Sequence, residues 1–197
     1  MYAVPMVRRL VMGFTAVMIV MGMVAAGQAE AKGLKAKITR NAQGIPTIEA
    51  ENFKSLGYGY AYAFAQDNIC TIADTYLTSN AERSKWFGPD EETPEGFSNL
   101  DSDLFYQRIK DRGTVKELMS LKAPQGPKKQ VKQIVSGYVK GYNAYLEKTG
   151  VDNIPDPRCA GQPWVRPITK MDVYQRFYEL VLYASGGVAI DGQAQAQ

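Results

Sequence analysis

The chemistry open to this chain is bounded first by what it lacks. Its 197 residues include no histidine. That excludes a Ser-His-Asp or Cys-His mechanism carried by these residues alone, and it removes the commonest ligand for zinc or copper. The candidate nucleophiles are serines, threonines and two cysteines, none with an obvious base beside it. Asp101 and Asp103 are spaced like an oxygen-rich metal site. The glycine and later glutamate of a calcium loop are missing, however, so a solvated loop is the better reading. Gly57 and Gly59 could open a phosphate-binding loop, but no third glycine and no Gly-Lys-Ser/Thr completes either phosphate motif. Pattern alone therefore assigns no catalytic residue and no metal ligand.

The state of Cys70 and Cys159 depends on where the chain folds. Arg8 and Arg9 form a positive n-region, Leu10 to Ala26 is apolar and uncharged, and Ala29-x-Ala31 has the small-residue form a signal peptidase accepts. The apolar stretch is close to spanning length, which makes a retained membrane anchor the alternative. The well-placed small residues favour export: residues 1–31 as a signal peptide, a mature chain from Lys32, a periplasmic or extracellular location, and no membrane association after cleavage. In an oxidising compartment an even pair of cysteines tends to be bridged, and two buried free thiols are the alternative. The charge, 23 Lys+Arg against 20 Asp+Glu, is too mild to argue for a nucleic-acid partner.

Short strands and amphipathic helices must hold these residues. Ala36, Ile38 and Arg40 alternate in phase, Asn41 to Gly44 supplies a turn, and Ile45 to Ala50 forms a second strand whose Pro46 suggests an edge. Ile69, Ile72, Ala73, Tyr76 and Leu77 share one helix face. Upstream, the small and aromatic residues of 57–65 suit a close helix–helix approach. Residues 90–103 read as a polar surface loop, 104–121 as helix broken at Gly113, and 123–127 as a linker. Val131, Ile134, Val135, Tyr138, Val139, Tyr142 and Leu146 make the most continuous apolar stripe. After a proline-rich segment, Thr169 and Asp172 approximate a capping box. Val173, Phe177, Leu180, Val181 and Ala184 then form the face of a last helix, which Ser185-Gly186-Gly187 ends with glycine at a left-handed cap. The Gln/Ala-rich end reads as a mobile tail. The fold class is α+β, mostly helical, with an N-terminal strand pair.

Three segments resemble one family. Arg40-Asn41-Ala42-Gln43-Gly44-Ile45-Pro46-Thr47-Ile48-Glu49-Ala50 resembles the opening strands of penicillin acylase α-chains, which read Arg-Asp-x-x-Gly-Val/Ile-Pro-His-Ile-x-Ala. The run from Gly57 to Asp67 is similar to that family's Gly-x-Gly-Tyr-x-x-Ala-x-Asp-Arg helix. Asn80 to Gly88 resembles its Leu-Ala-Glu-x-x-Gly close. Thr47 stands where the family has His, and Asn68 where it has Arg. The Cys70 and Cys159 pair, with Cys159-Ala160-Gly161-Gln162-Pro163-Trp164, looks more like the branch containing aculeacin and acyl-homoserine-lactone acylases.

The resemblance implies the α-subunit portion of an N-terminal-nucleophile (Ntn) hydrolase αββα sandwich. Residues 32–187 would be the acylase domain and 188–197 the start of a flexible tail or spacer. The activity implied is hydrolysis of the amide bond of N-acylated substrates of β-lactam, acyl-homoserine-lactone or lipopeptide type. The catalytic serine would lie at the N-terminus of a β-subunit cut from the same precursor, with its own α-amine as base. That β-subunit and a small N-acyl substrate are the implied partners. The family's acyl-pocket wall, carried onto the last helix and the turn after it, falls on Phe177, Val181, Leu182, Ser185 and Gly186. No cofactor is implied for this chain. Calcium is possible in the full enzyme, with Asp191 the nearby acidic residue. A secreted, non-catalytic binding protein using the same half-fold is the alternative function.

Overall fold

The computed structural model describes residues 26–31, 33–183 and 185–195. Arg8, Arg9, most of the apolar signal stretch, Lys32, Ala184, Ala196 and Gln197 lie outside the described residues. Among the described residues three strands, β1 (Ala26–Ala31), β2 (Leu34–Arg40) and β3 (Pro46–Glu49), precede seven α-helices. These are α1 (Phe53–Asn80), α2 (Arg83–Phe87), α3 (Asn99–Asp111), α4 (Thr114–Ser120), α5 (Lys129–Thr149), α6 (Lys170–Leu182) and α7 (Ile190–Gln195), with short 3-10 turns at Val151–Asn153 and Gly186–Ala189.

β2 is the middle strand, antiparallel to both neighbours. It buries Leu34, Ala36 and Ile38 and exposes Lys35 and Lys37, the alternation of a half-buried strand. The expected strand pair is β2–β3. Pro46 sits on the outer strand opposite Arg40, where its missing N–H leaves no ladder gap. The turn between them is built by Asn41, whose Oδ1 accepts from the amides of Gln43 (3.0 Å) and Ile45 (2.9 Å), and by Gly44 at φ 82°. The third strand, β1, is formed by residues the export reading places before the cleavage site. Cleavage after Ala31 would remove it and leave an edge of β2 open.

The core lies between α1 and α5. Ile69, Ile72, Ala73, Tyr76 and Leu77 are all buried, as their spacing predicts, and pack with Val135, Tyr142 and Leu146. Glycines let the two backbones touch. A Cβ at Gly57 would lie 2.9 Å from the Ile134 carbonyl carbon, and one at Gly137 would lie 2.8 Å from the Tyr58 amide nitrogen. The glycines thus serve packing and not phosphate binding. Cys70 in α1 is bridged to Cys159 in the proline-rich segment, with Cα atoms 5.4 Å apart. Crosslinking residues 89 positions apart restricts the unfolded chain, a contribution of roughly 2–5 kcal/mol.

The sequence reading is corrected at three places. Residues 99–103 are helical and not loop: the Ser98 hydroxyl accepts from the Asp101 amide (3.1 Å) and starts α3. Asp103 accepts the amides of Arg83 (3.1 Å) and Ser84 (2.7 Å), so its carboxylate satisfies the orphan donors that open α2. At the end of α6, neither Gly186 nor Gly187 adopts a left-handed conformation. The Ser185 amide (2.9 Å) and hydroxyl (3.3 Å) donate to the Leu182 carbonyl instead, so no left-handed glycine is required there. The Gln/Ala-rich stretch continues as α7, which packs on α3 with Ile190 buried.

Candidate functional site

α6 begins with the expected capping box: Thr169 accepts from the Asp172 amide, and Asp172 accepts from the Thr169 amide (2.6 Å). Burial alone would raise the Asp172 carboxyl. The Thr169 hydrogen bonds and the Arg166 guanidinium (3.1 Å) outweigh it and hold this carboxyl below its ordinary range. Beyond that first turn the helix is polar inside and apolar outside. Its buried residues are Asp172, Val173, Gln175 and Glu179. Phe177, Leu180 and Val181 are exposed, Val181 at 70%. Water around a helix favours the opposite arrangement.

Phe177 and Leu180 line an apolar groove of about 330 Å³ whose other walls include Tyr60 and Phe64 of α1 and Tyr138 of α5. Phe53 and Leu56 extend the exposed apolar surface along α1. Of the five residues carried over as an acyl wall, Phe177 lines this groove. Val181 lies one turn further along the same face, and Leu182 is half-buried beside it. Ser185 is exposed with its hydroxyl donated to helix carbonyls, and the Gly186 carbonyl accepts from Gln193 Nε2 (2.8 Å). The five are therefore near one another along the end of α6 and the turn after it.

A second cavity, of about 340 Å³, lies on the other side of α6. Its lining includes Glu95, Ser102, Tyr106, Glu179, Tyr183, Val188 and Ile190. Glu179 is 1% exposed. Burial pushes its carboxyl up to about 7, with Glu95 adding to the rise and Arg176, its ion-pair partner, opposing it. Burial and the hydrogen bond to Glu95 push Tyr183 up to about 12. Sequence reasoning missed this site. Its signal was a lone acid inside the apolar run Phe177–Leu182.

The raised Glu179 carboxyl makes stability depend on pH with a definite sign. Below the ordinary carboxylate range both folded and unfolded chains are protonated there, and the burial costs nothing. As pH rises toward about 7 the unfolded chain ionises first, and stability is lost. Arg176, Arg83, Glu95, Tyr106 and Tyr183 are the charged and titratable neighbours that face this site. Glu179→Gln should leave the thermal midpoint unchanged near pH 4 and raise it at pH 8, by a gain of about 3 kcal/mol or less. Thermal melts across that pH range check it.

The residues that carry the sequence motifs have structural work. Arg40 Nη1 donates to the Gly44 carbonyl (2.8 Å) and to Asp67 Oδ2 (2.9 Å), tying the β-turn to α1. Buried Arg83 donates to Asn99 Oδ1 (2.9 Å) and Asp74 Oδ1 (2.6 Å), and its guanidinium lies 5.0 Å from the Phe87 ring centroid. These interactions join the opening turn, the long helix and its close into one scaffold. The family model for penicillin amidase matches residues 35–186, which span that scaffold and α6. The chain belongs to the penicillin amidase family.

Its relatives within the family are acylases. Aculeacin-A acylase from Actinoplanes utahensis is 37% identical over 172 residues, covering 85% of this chain and 21% of that protein. The acyl-homoserine lactone acylase PvdQ of Pseudomonas savastanoi pv. phaseolicola is 38% identical over 160 residues, covering 81% of this chain and 19% of that protein. The chain thus spans about a fifth of the length of the curated relatives it matches. In fold it resembles the thermostable penicillin G acylase from Alcaligenes faecalis, with a TM-score of 0.56 at 22% identity over 82% of this chain and 76% of that one. The mostly helical α+β architecture is the fold of that penicillin acylase chain. Asp191 is exposed on α7. Among the described residues no group of three or more His, Cys, Asp or Glu side chains is placed to hold a metal. Among the same residues, no helix is long and apolar enough to cross a membrane.

Proposed function

We propose that this chain is the α-subunit part of an exported acylase that hydrolyses the amide bond of N-acylated substrates. The observation that carries the reading is the outward apolar face of α6, with Phe177, Leu180 and Val181 in water beside an apolar groove. Such a contiguous patch calls for a cover, and a chain one-fifth the length of its relatives leaves ample polypeptide to supply one. The cover is a β-subunit from the same precursor. Its N-terminal serine attacks the carbonyl, and the serine's own α-amine, with an ordinary pKa near 8, takes the hydroxyl proton, so no histidine is needed. Phe177, Val181, Leu182, Ser185 and Gly186 contribute one wall for the acyl tail, where each buried CH₂ is worth roughly 0.8 kcal/mol. Residues 1–31 direct export, and the enzyme works in the periplasm or outside the cell.

Mass spectrometry of protein expressed from the complete gene tests the processing. Two mature chains are expected, one beginning at or near Lys32 and one beginning with serine. A single uncut chain with Met1 intact would contradict both cleavages. The wall is tested by Val181→Trp, since a residue 70% exposed can be enlarged without disturbing this chain's own core. The variant should shift the preferred acyl chain shorter, by about fourfold in relative kcat/KM per CH₂ displaced. An unchanged chain-length profile would remove Val181 from the wall.

A further inference from the structure

The cavity on the polar side of α6 is lined by two residues whose buried side-chain oxygens have no hydrogen-bond partner among the described residues. Glu179 Oε1 pairs with Arg176, but Oε2 is buried and has no hydrogen-bond partner among the described residues. Ser102 Oγ, lining the same cavity, is equally buried and unpartnered. An unsatisfied buried acceptor of this kind is costly and uncommon in folded proteins. Charge adds to the case. Glu95 and Glu179 both line the space; among the described residues Arg176 is the one cation in an ion pair with either, and Arg83, which also faces Glu179, is engaged by Asp74. With both carboxylates ionised, one unit of negative charge is left without a cationic partner among the described residues. Val188 and Ile190 give the cavity an apolar side, and its volume of about 340 Å³ lies within the ordinary range for small-ligand sites.

We propose that this cavity is a binding site for a small organic ammonium ion, its N–H donors directed to Glu179 Oε2 and Ser102 Oγ and its alkyl part against Val188 and Ile190. Phe177 and Val181 of the acyl wall point away from this cavity on α6 and do not line it, and the proposal stands whether or not the acylase reading holds. The ligand class follows from the donor–acceptor inventory. Above about pH 7, where Glu179 is ionised, its free carboxylate oxygen accepts only, so its partner must donate, and the surplus negative charge then selects a cation over a neutral alcohol.

The test is titration of the protein expressed from its complete gene at pH 8, where Glu179 is ionised, with n-butylammonium chloride, followed by calorimetry or ligand-observed NMR, with 1-butanol as the neutral isostere. Saturable millimolar binding of the amine is expected, with the alcohol about tenfold weaker or worse. Glu179→Gln, which keeps shape and removes charge, should weaken the amine by about tenfold while leaving the alcohol unchanged. Glu95→Gln, at the exposed side of the cavity, should weaken it less and serves as the second variant if the first fails to fold. Absence of saturable binding, equal affinity for amine and alcohol, or undiminished amine binding in both variants would overturn the proposal.

Discussion

Gly137→Ala is expected to lower the thermal midpoint by about 10 °C or to prevent folding. α1 and α5 touch through their backbones at this point. A methyl group on Gly137 would fall on the Lys54 carbonyl and within 2.8 Å of the Tyr58 amide nitrogen. Neither is the movable end of a side chain, so the helices must separate. Overpacking of this kind costs about 3 kcal/mol, and each kcal/mol moves the midpoint by roughly 2–4 °C at this size. Separation would also loosen Tyr58 and Tyr142, which are 1% and 0% exposed. Alanine ordinarily favours a helix over glycine by about 1 kcal/mol, so a loss here would isolate the packing effect. Thermal melts of Gly137→Ala beside Gly192→Ala check it, since a Cβ at Gly192 meets nothing. A Gly137→Ala midpoint equal to or above that of the native protein would contradict the close-contact account.

That crossing was legible in the sequence because two periodicities agreed. The stripe from Val131 to Leu146 and the face from Ile69 to Leu77 each name a buried side, and small residues between aromatics mark where helices can meet. The Thr169–Asp172 capping box and the break at Gly113 (φ 67°) were legible for the same local reason. The bridge between Cys70 and Cys159 is the outcome that an oxidising compartment and an even count favour over two free thiols.

What the sequence could not show depends on distant partners. The periodicity of Val173, Phe177, Leu180 and Val181 names a face but not what covers it, and three of the four are exposed. The low-complexity stretch from Gly192 hid α7, because one buried residue, Ile190, anchors a helix that composition does not announce. Glu179 was missed because a single acid in an apolar run carries no spacing signal. Only the fold brings Ser102 and Glu95 to it.

The central claim, that this chain is a subunit whose nucleophile lies on other polypeptide, is tested most directly by amide hydrolysis. The segment 32–197 alone and protein from the complete gene would be assayed side by side on N-acylated substrates of graded acyl length. The segment should show no turnover above the uncatalysed rate, since a wall without its nucleophile gives binding at most. It should also tend to aggregate through the exposed face of Phe177, Leu180 and Val181. The complete protein should fold and hydrolyse the amides, and a second chain with serine at its N-terminus should be required for both. Measurable amide hydrolysis by the isolated segment would contradict the account, as would a complete protein that folds, is cut to expose that serine, and hydrolyses none of the series.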